Sequence, residues 1–183
     1  MCWRDLHPLE WQLASLHQIR ICRTHYCRGR TACRQPCDNA TICVHSGLAC
    51  GAAKDLASAF AAMRQGGSPL PEGARHPLPT IVFHGDRDKT VNQLNGDQVI
   101  DQSKEGIELY PTITSGQSAG GISYTRTIQA DGSGRPMLEQ WVLHGAGHAW
   151  SGGSPTGSYT DPRGPDASRE MLRFFHERSE ASP

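Results

Sequence analysis

Three short stretches of this 183-residue chain hold residues whose types and spacing suit acyl-transfer chemistry. Gly116-Gln117-Ser118-Ala119-Gly120 spells G-x-S-x-G, the turn that presents a serine nucleophile between a strand and a helix. In "VFHGDRDKTV" an apolar, β-branched run stops at Gly85 and two acids, Asp86 and Asp88, follow it. That is the carboxyl end of a strand, where α/β sheets place ligands and catalytic groups. In "WVLHGAGHAWSGG" a second strand ends in glycines, and His148 follows beside Trp150 and small residues that leave room for a substrate. An acid after one strand and a histidine after a later one are the last two members of the order Ser, Asp, His. The acid must accept the Nδ1–H of the histidine, fix its tautomer, and stabilise the imidazolium that forms when Nε2 takes the serine proton. Asp86 reads as a turn former or helix cap, and His84 and His144, at strand ends, read as structural.

These residues need a frame, and alternating apolar segments supply one. "TICVHSGLA" (41–49) and "PTIVFHG" (79–85) have the short apolar character of buried strands. Between them "DLASAFAAMRQG" (55–66) sets Leu56, Phe60 and Met63 on one helical face, with Gly66 as a stop. "NGDQVIDQSK" (95–104) reads as a helix, and "ISYTRTIQ" and "MLEQWVLHG" flank the turn-rich "ADGSGRP" as a β-hairpin or adjacent strands. "GPDASREMLRFFHER" (164–178) has Pro165 early in its first turn and Met171, Leu172 and Phe175 on one face. Strands alternating with helices predict an α/β layer architecture.

Composition narrows the function classes. Lys plus Arg and Asp plus Glu number 18 each, so no charge excess draws the chain to nucleic acid or anionic lipid. No apolar run reaches the length of a membrane span, and "MCWRDLHPLEWQLASL" lacks the basic start and apolar core of a signal peptide. Neither a nucleic-acid nor a membrane partner is expected, and no cofactor is implied. Residues 1–43 hold six of the seven cysteines, six arginines and a single glycine, Gly29, of the chain's twenty. From residue 44 the text turns glycine-rich. This predicts an atypical Cys/Arg-rich segment over 1–43 and an α/β portion over 44–183.

"PTIVFHGDRDKTV", with its H-G-x-x-D-x-x-V core, and "LEQWVLHGAGHAWSGGSPTGSYTDPRGPDASREMLRFF" resemble the C-terminal half of the polyhydroxybutyrate depolymerase family of esterases, which are α/β-hydrolases. "HSGLACGAAKDLASAFAAMRQG" resembles the preceding strand and helix of that family. The resemblance covers about residues 44–178. It implies a serine esterase, extracellular or periplasmic, that acts on hydroxyalkanoate polyesters, their oligomers or short acyl esters. Asp88 matches the family's catalytic acid and His148 its catalytic base, and Trp150 is a candidate for the acyl cleft. The resemblance implies a mostly parallel sheet flanked by helices, with the N-terminal strands and nucleophile elbow missing.

Ser118 does not match the family's nucleophile, which lies upstream of "HSGLACG". "ITSGQSAGGISYTRT" leads into β-branched, alternating residues and no helix, so Ser118 reads as a decoy in a glycine-rich loop before a strand. "GLACG" centres on Ala49, and Cys50 reads as a small buried thiol. With no nucleophile identified, the chain is expected to be incomplete or inactive. The alternative is a non-catalytic remnant of the same fold that binds polyester or a partner. Three explanations bear on residues 1–43: an out-of-frame or truncated start, a zinc site from Cys22, His25, Cys27, Cys33 and Cys37, or a disulfide-stapled cap. The cysteine intervals match no strong finger pattern, so no metal is expected, and free thiols are the default. "LEWQLASLHQIR" has the spacing of an amphipathic helix through Leu9, Leu13 and Leu16. Absence of the N-terminal half would leave a strand edge open and the chain marginal or aggregation-prone, and oligomeric state is not legible.

Overall fold

The computed structural model describes residues 18–22, 41–67, 77–104 and 106–180. Strand β1 (Gln18–Cys22), β2 (Thr41–His45), helix α1 (Leu56–Gln65), β3 (Thr80–Gly85), α2 (Leu94–Ser103), β4 (Tyr110–Gln117), β5 (Ser123–Ala130), β6 (Pro136–Leu143), β7 (Trp150–Ser151), β8 (Thr160–Asp161) and α3 (Ala167–Glu180) follow one another. Six strands form one sheet in the order β1-β2-β3-β6-β5-β4, and β7 and β8 form a small parallel pair. β2, β3 and β6 run parallel at its centre. β1, β5 and β4 add antiparallel pairings on the flanks, so the sheet is mixed rather than parallel throughout.

The centre is buried on both faces, which is why β3 reads as an unbroken apolar run and is buried at every position. Alternate residues feed two cores. Cys43, Ile81, Phe83, Trp141 and Leu143 pack with Ala167, Met171 and Phe174 of α3 on one side. Val44, Val82 and Leu138 pack with Ala62 of α1 and Val99 and Ile100 of α2 on the other. Helices thus flank both faces of a mixed sheet, an α/β arrangement of three layers.

Two helical faces differ from the periodicity reading. In α1 it is Ala62 that is buried, while Leu56 and Phe60 lie exposed. α1 meets the core through its small residues, after a start fixed by a capping box between Asp55 and Ser58. In α3 the core face is Ala167, Met171 and Phe174, an i, i+4, i+7 stripe, and Leu172 faces solvent. β4 is an addition, since the glycine-rich stretch read as a loop is a full edge strand running to Gln117. Gln18–Arg20, the end of the amphipathic segment, lie in β1, and the rest of that segment falls outside the described residues. β1 occupies the sheet edge beside β2, and β2 begins at Thr41, three positions before the compositional change at residue 44.

One buried ion network braces the sheet against α3. Glu139 of β6 is fully buried and accepts from Arg126 Nε, Trp141 Nε1 and Arg173 Nη2 at 2.6–2.9 Å. Arg173 also binds Glu170 and Glu177 on its own helix. Removing one of the two guanidinium partners of a buried carboxylate leaves its charge under-compensated, so Arg173→Met is expected to cost about 3 kcal/mol of stability, read from the urea midpoint at pH 7. A loss under about 0.5 kcal/mol, the range of an ordinary surface change, would show Arg126 alone sufficing for Glu139.

Candidate active site

β3 and β6 are adjacent and parallel, so their carboxyl ends and the loops that follow emerge side by side. Gly85, the last residue of β3, has no space for a side chain: a Cβ there would collide with the backbone of Ala146. That close approach seats the loop 86–91 against the loop 144–149. Asp86 N–H donates to Leu143 O and Arg87 N–H to Ala146 O, both at 3.1 Å.

Across this seam Asp88 Oδ2 accepts from His148 Nδ1 at 2.7 Å. Asp88 Oδ1 accepts the backbone N–H groups of Thr90 and Val91 at 2.8 and 2.9 Å, so both carboxyl oxygens are committed and the group cannot rotate. The Asp88 side chain has no exposed surface, whereas His148 keeps 28% of its own. Burial pushes the Asp88 carboxyl up, but the bonds from His148, Val91 and Thr90 outweigh it and hold the group below its ordinary value. An ionised Asp88 accepts only, so His148 carries its neutral-form proton on Nδ1 and presents Nε2 as a lone pair. Among the described residues no hydroxyl is bonded to that Nε2.

Two further histidines surround the pair. His84 is buried, and its Nε2 lies 2.9 Å from Val91 O, an acceptor only, so Nε2 holds the proton and Nδ1 is left as a buried lone pair without a partner. Burial is the main reason its basicity falls below the ordinary value. His84 Nε2 is 3.7 Å from Asp88 Oδ2, too far for a hydrogen bond, and Gly96 packs on the other side of the ring. His45, at the end of β2, lies stacked against Phe83 and Trp150, and its Nε2 accepts the Ser151 N–H at 2.9 Å. Burial, with smaller contributions from His84 and His148, lowers its pKa to about 3.

The other candidates fall where their local bonding can be read. Ser118 sits in the turn between β4 and β5, with no helix after it. Its hydroxyl donates to Arg163 O and accepts from Ile122 N–H at 3.0 Å, which uses it to close the hairpin and anchor it to the loop after β8. Trp150 stacks on His45 with centroids 4.8 Å apart, and its Nε1 donates to Ser168 Oγ at 3.2 Å, so the indole packs on the α3-side core next to the His148 loop. Cys50, read from sequence as buried, is exposed, because the loop between β2 and α1 turns outward there. Among the described residues no group of three or more His, Cys, Asp or Glu is placed to hold a metal, and no helix is long and apolar enough to cross a membrane. Of the five candidate zinc ligands, His25, Cys27, Cys33 and Cys37 lie outside the described residues, and Cys22 ends β1.

Three features escaped the sequence reading. Asp86 lies in a turn as expected, and its side chain also reaches across: Oδ2 meets His144 Nδ1 at 3.0 Å and Oδ1 accepts Gly145 N–H at 2.7 Å. Ser46, just past β2, has φ of 49°, a left-handed conformation that no other described non-glycine residue adopts, and its buried hydroxyl has no partner. His45 bridges two layers of the site. The only sequence signal for the last two was their place in "VHSG", where a strand runs into a glycine. No protein-family model matches the chain, and no curated protein matches it.

Proposed function

We propose that this chain is a carboxylic-ester hydrolase of the polyhydroxybutyrate depolymerase type by descent, with an α/β-hydrolase fold, in which Asp88 and His148 are the acid–base half of a catalytic apparatus whose nucleophile no described residue supplies. The observation that carries this reading is the 2.7 Å bond between a fully buried, rotationally fixed carboxylate and a partly exposed imidazole, at the ends of adjacent parallel strands and in the order acid then histidine. His148 Nε2 takes a proton from the attacking hydroxyl as the ester carbonyl becomes tetrahedral. Asp88 stabilises the imidazolium without itself being protonated, and His148 then returns the proton to the leaving alcohol. The substrate class, hydroxyalkanoate polyester, oligomer or short acyl ester, and the extracellular or periplasmic setting rest on the family resemblance.

The second reading is a non-catalytic remnant of the fold that binds polyester. It is favoured by one observation, that no described hydroxyl meets His148 Nε2. Treatment of the folded chain with a fluorophosphonate, which acylates activated serines, separates the two. The esterase reading predicts a labelled serine other than Ser118 and loss of the label in His148→Ala. Labelling at Ser118, or labelling indifferent to His148→Ala, contradicts it. A folded chain that takes no label and binds polyester granules supports the remnant.

A further inference from the structure

We infer that Asp86, His144 and Thr125 form a positioning clamp that holds the loops of Asp88 and His148 at hydrogen-bonding separation, acting on the pair without touching substrate. The inference rests on Asp88 and His148 being the acid–base pair. Its basis is a second carboxylate–imidazole contact built from the same two loops. Asp86 lies two residues before Asp88, and His144 four residues before His148. Asp86 Oδ2 meets His144 Nδ1 at 3.0 Å, Asp86 Oδ1 takes the Gly145 N–H, and His144 Nε2 lies 2.9 Å from Thr125 Oγ1 on β5. The array therefore ties the loop after β3 to the end of β6, and ties both to the neighbouring strand.

Global stability does not account for it. The side chains of His144 and Asp86 are 44% and 32% exposed, and exposed pairs of this kind contribute little to folding. Geometry is where such a contact has leverage, because a small misplacement of a catalytic group costs far more in rate than in stability. The proton inventory also suits a clamp rather than a switch. Asp86 is an acceptor, so His144 Nδ1 donates to it in either charge state. Thr125 is both donor and acceptor, so it gives its hydroxyl proton to a neutral Nε2 and accepts from a protonated one.

The test is the Nδ1–H resonance of His148 in ¹⁵N-edited NMR spectra of the full chain, a proton that stays visible only while Asp88 holds it out of exchange. In the wild type it is expected as a distinct downfield signal. Asp86→Ala is expected to abolish it while the Trp141 indole N–H, bonded to Glu139 in the buried network under α3, keeps its shift. Asp86→Asn is expected to keep the signal, since an amide takes the Gly145 N–H through its oxygen and donates to the other tautomer of His144. Thr125→Val, which removes one hydroxyl and no charge, is expected to speed exchange of the same proton and serves if Asp86→Ala does not fold. Persistence of the signal in Asp86→Ala, or unchanged exchange in Thr125→Val, overturns the clamp alone. Absence of the signal in the wild type overturns the Asp88–His148 pair itself and the clamp with it.

Discussion

Replacing Asp88 by asparagine is expected to lower ester turnover by about four orders of magnitude at pH 7 with little change in KM. The substitution is nearly isosteric, and its carboxamide oxygen can still accept the Thr90 and Val91 N–H groups that fix the loop. What changes is the atom facing His148. An amide nitrogen there donates, so His148 Nδ1 must become the acceptor and the proton moves to Nε2. That tautomer has no lone pair to take a proton from an attacking hydroxyl. The imidazolium also loses the negative charge that stabilises it. Turnover and KM of both proteins on a soluble short acyl ester check this, and an Asp88→Asn rate within tenfold of wild type would contradict it.

The second large effect is on stability. His45 has an unfolded-state pKa of about 6.5 and a folded-state value lowered to about 3. Between these values the unfolded chain binds the proton and the folded chain does not. Stability from this group is therefore complete above about pH 6.5 and is lost as pH falls towards 3, by up to about 1.4 kcal/mol per pH unit. From pH 6.5 to 4.5 the expected loss is about 2 kcal/mol, a sizeable share of the stability of an ordinary domain. His84 moves in the same direction and adds to it. Asp88 has the depressed carboxylate behaviour, and its contribution is retained down to about pH 4 and lost only below that. Urea midpoints at pH 7 and pH 4.5, for wild type and His45→Gln, provide the check. The glutamine can still accept the Ser151 N–H but does not titrate, so its midpoint should change less with pH. Equal pH dependence in the two proteins would remove His45 from the account.

Functional consequences follow from where His45 sits. It lies in the core under Trp150 and at the level of the strand ends that carry the acid–base pair. In the folded chain it takes a proton only as pH nears 3, so down to that range acid acts on the folding equilibrium and leaves the charge beside His148 unchanged.

The sequence was most legible where local chemistry dictates geometry. β3 and β6 were marked by apolar runs stopping at glycine, and the residues after those glycines meet across the seam because Gly85 admits no side chain. The β5–β6 hairpin was marked by turn residues. Legibility failed where tertiary packing overrides periodicity. α1 buries Ala62 in the core shared with Val44 and Val82 and leaves Leu56 and Phe60 exposed. β4 was unreadable because its exposed positions, Thr112 to Gln117, alternate nothing against a core, and only pairing with β5 makes them a strand. Asp86 does lie in the turn after β3, but its reach was not legible because an acid after a strand looks the same in sequence whether it only turns the chain or also contacts a histidine 58 positions away. Ser118 shows the converse: its motif has the spacing of an elbow, and its hydroxyl closes a hairpin.

The most direct measurement is hydrolysis of 4-nitrophenyl butyrate by the purified full chain, set beside its His148→Ala and Ser118→Ala variants at pH 7.5. The account predicts that whatever turnover the wild type shows is abolished by His148→Ala and left within about twofold by Ser118→Ala, the range of a surface change of about 0.5 kcal/mol. Turnover that survives His148→Ala, or turnover that disappears in Ser118→Ala, would contradict it.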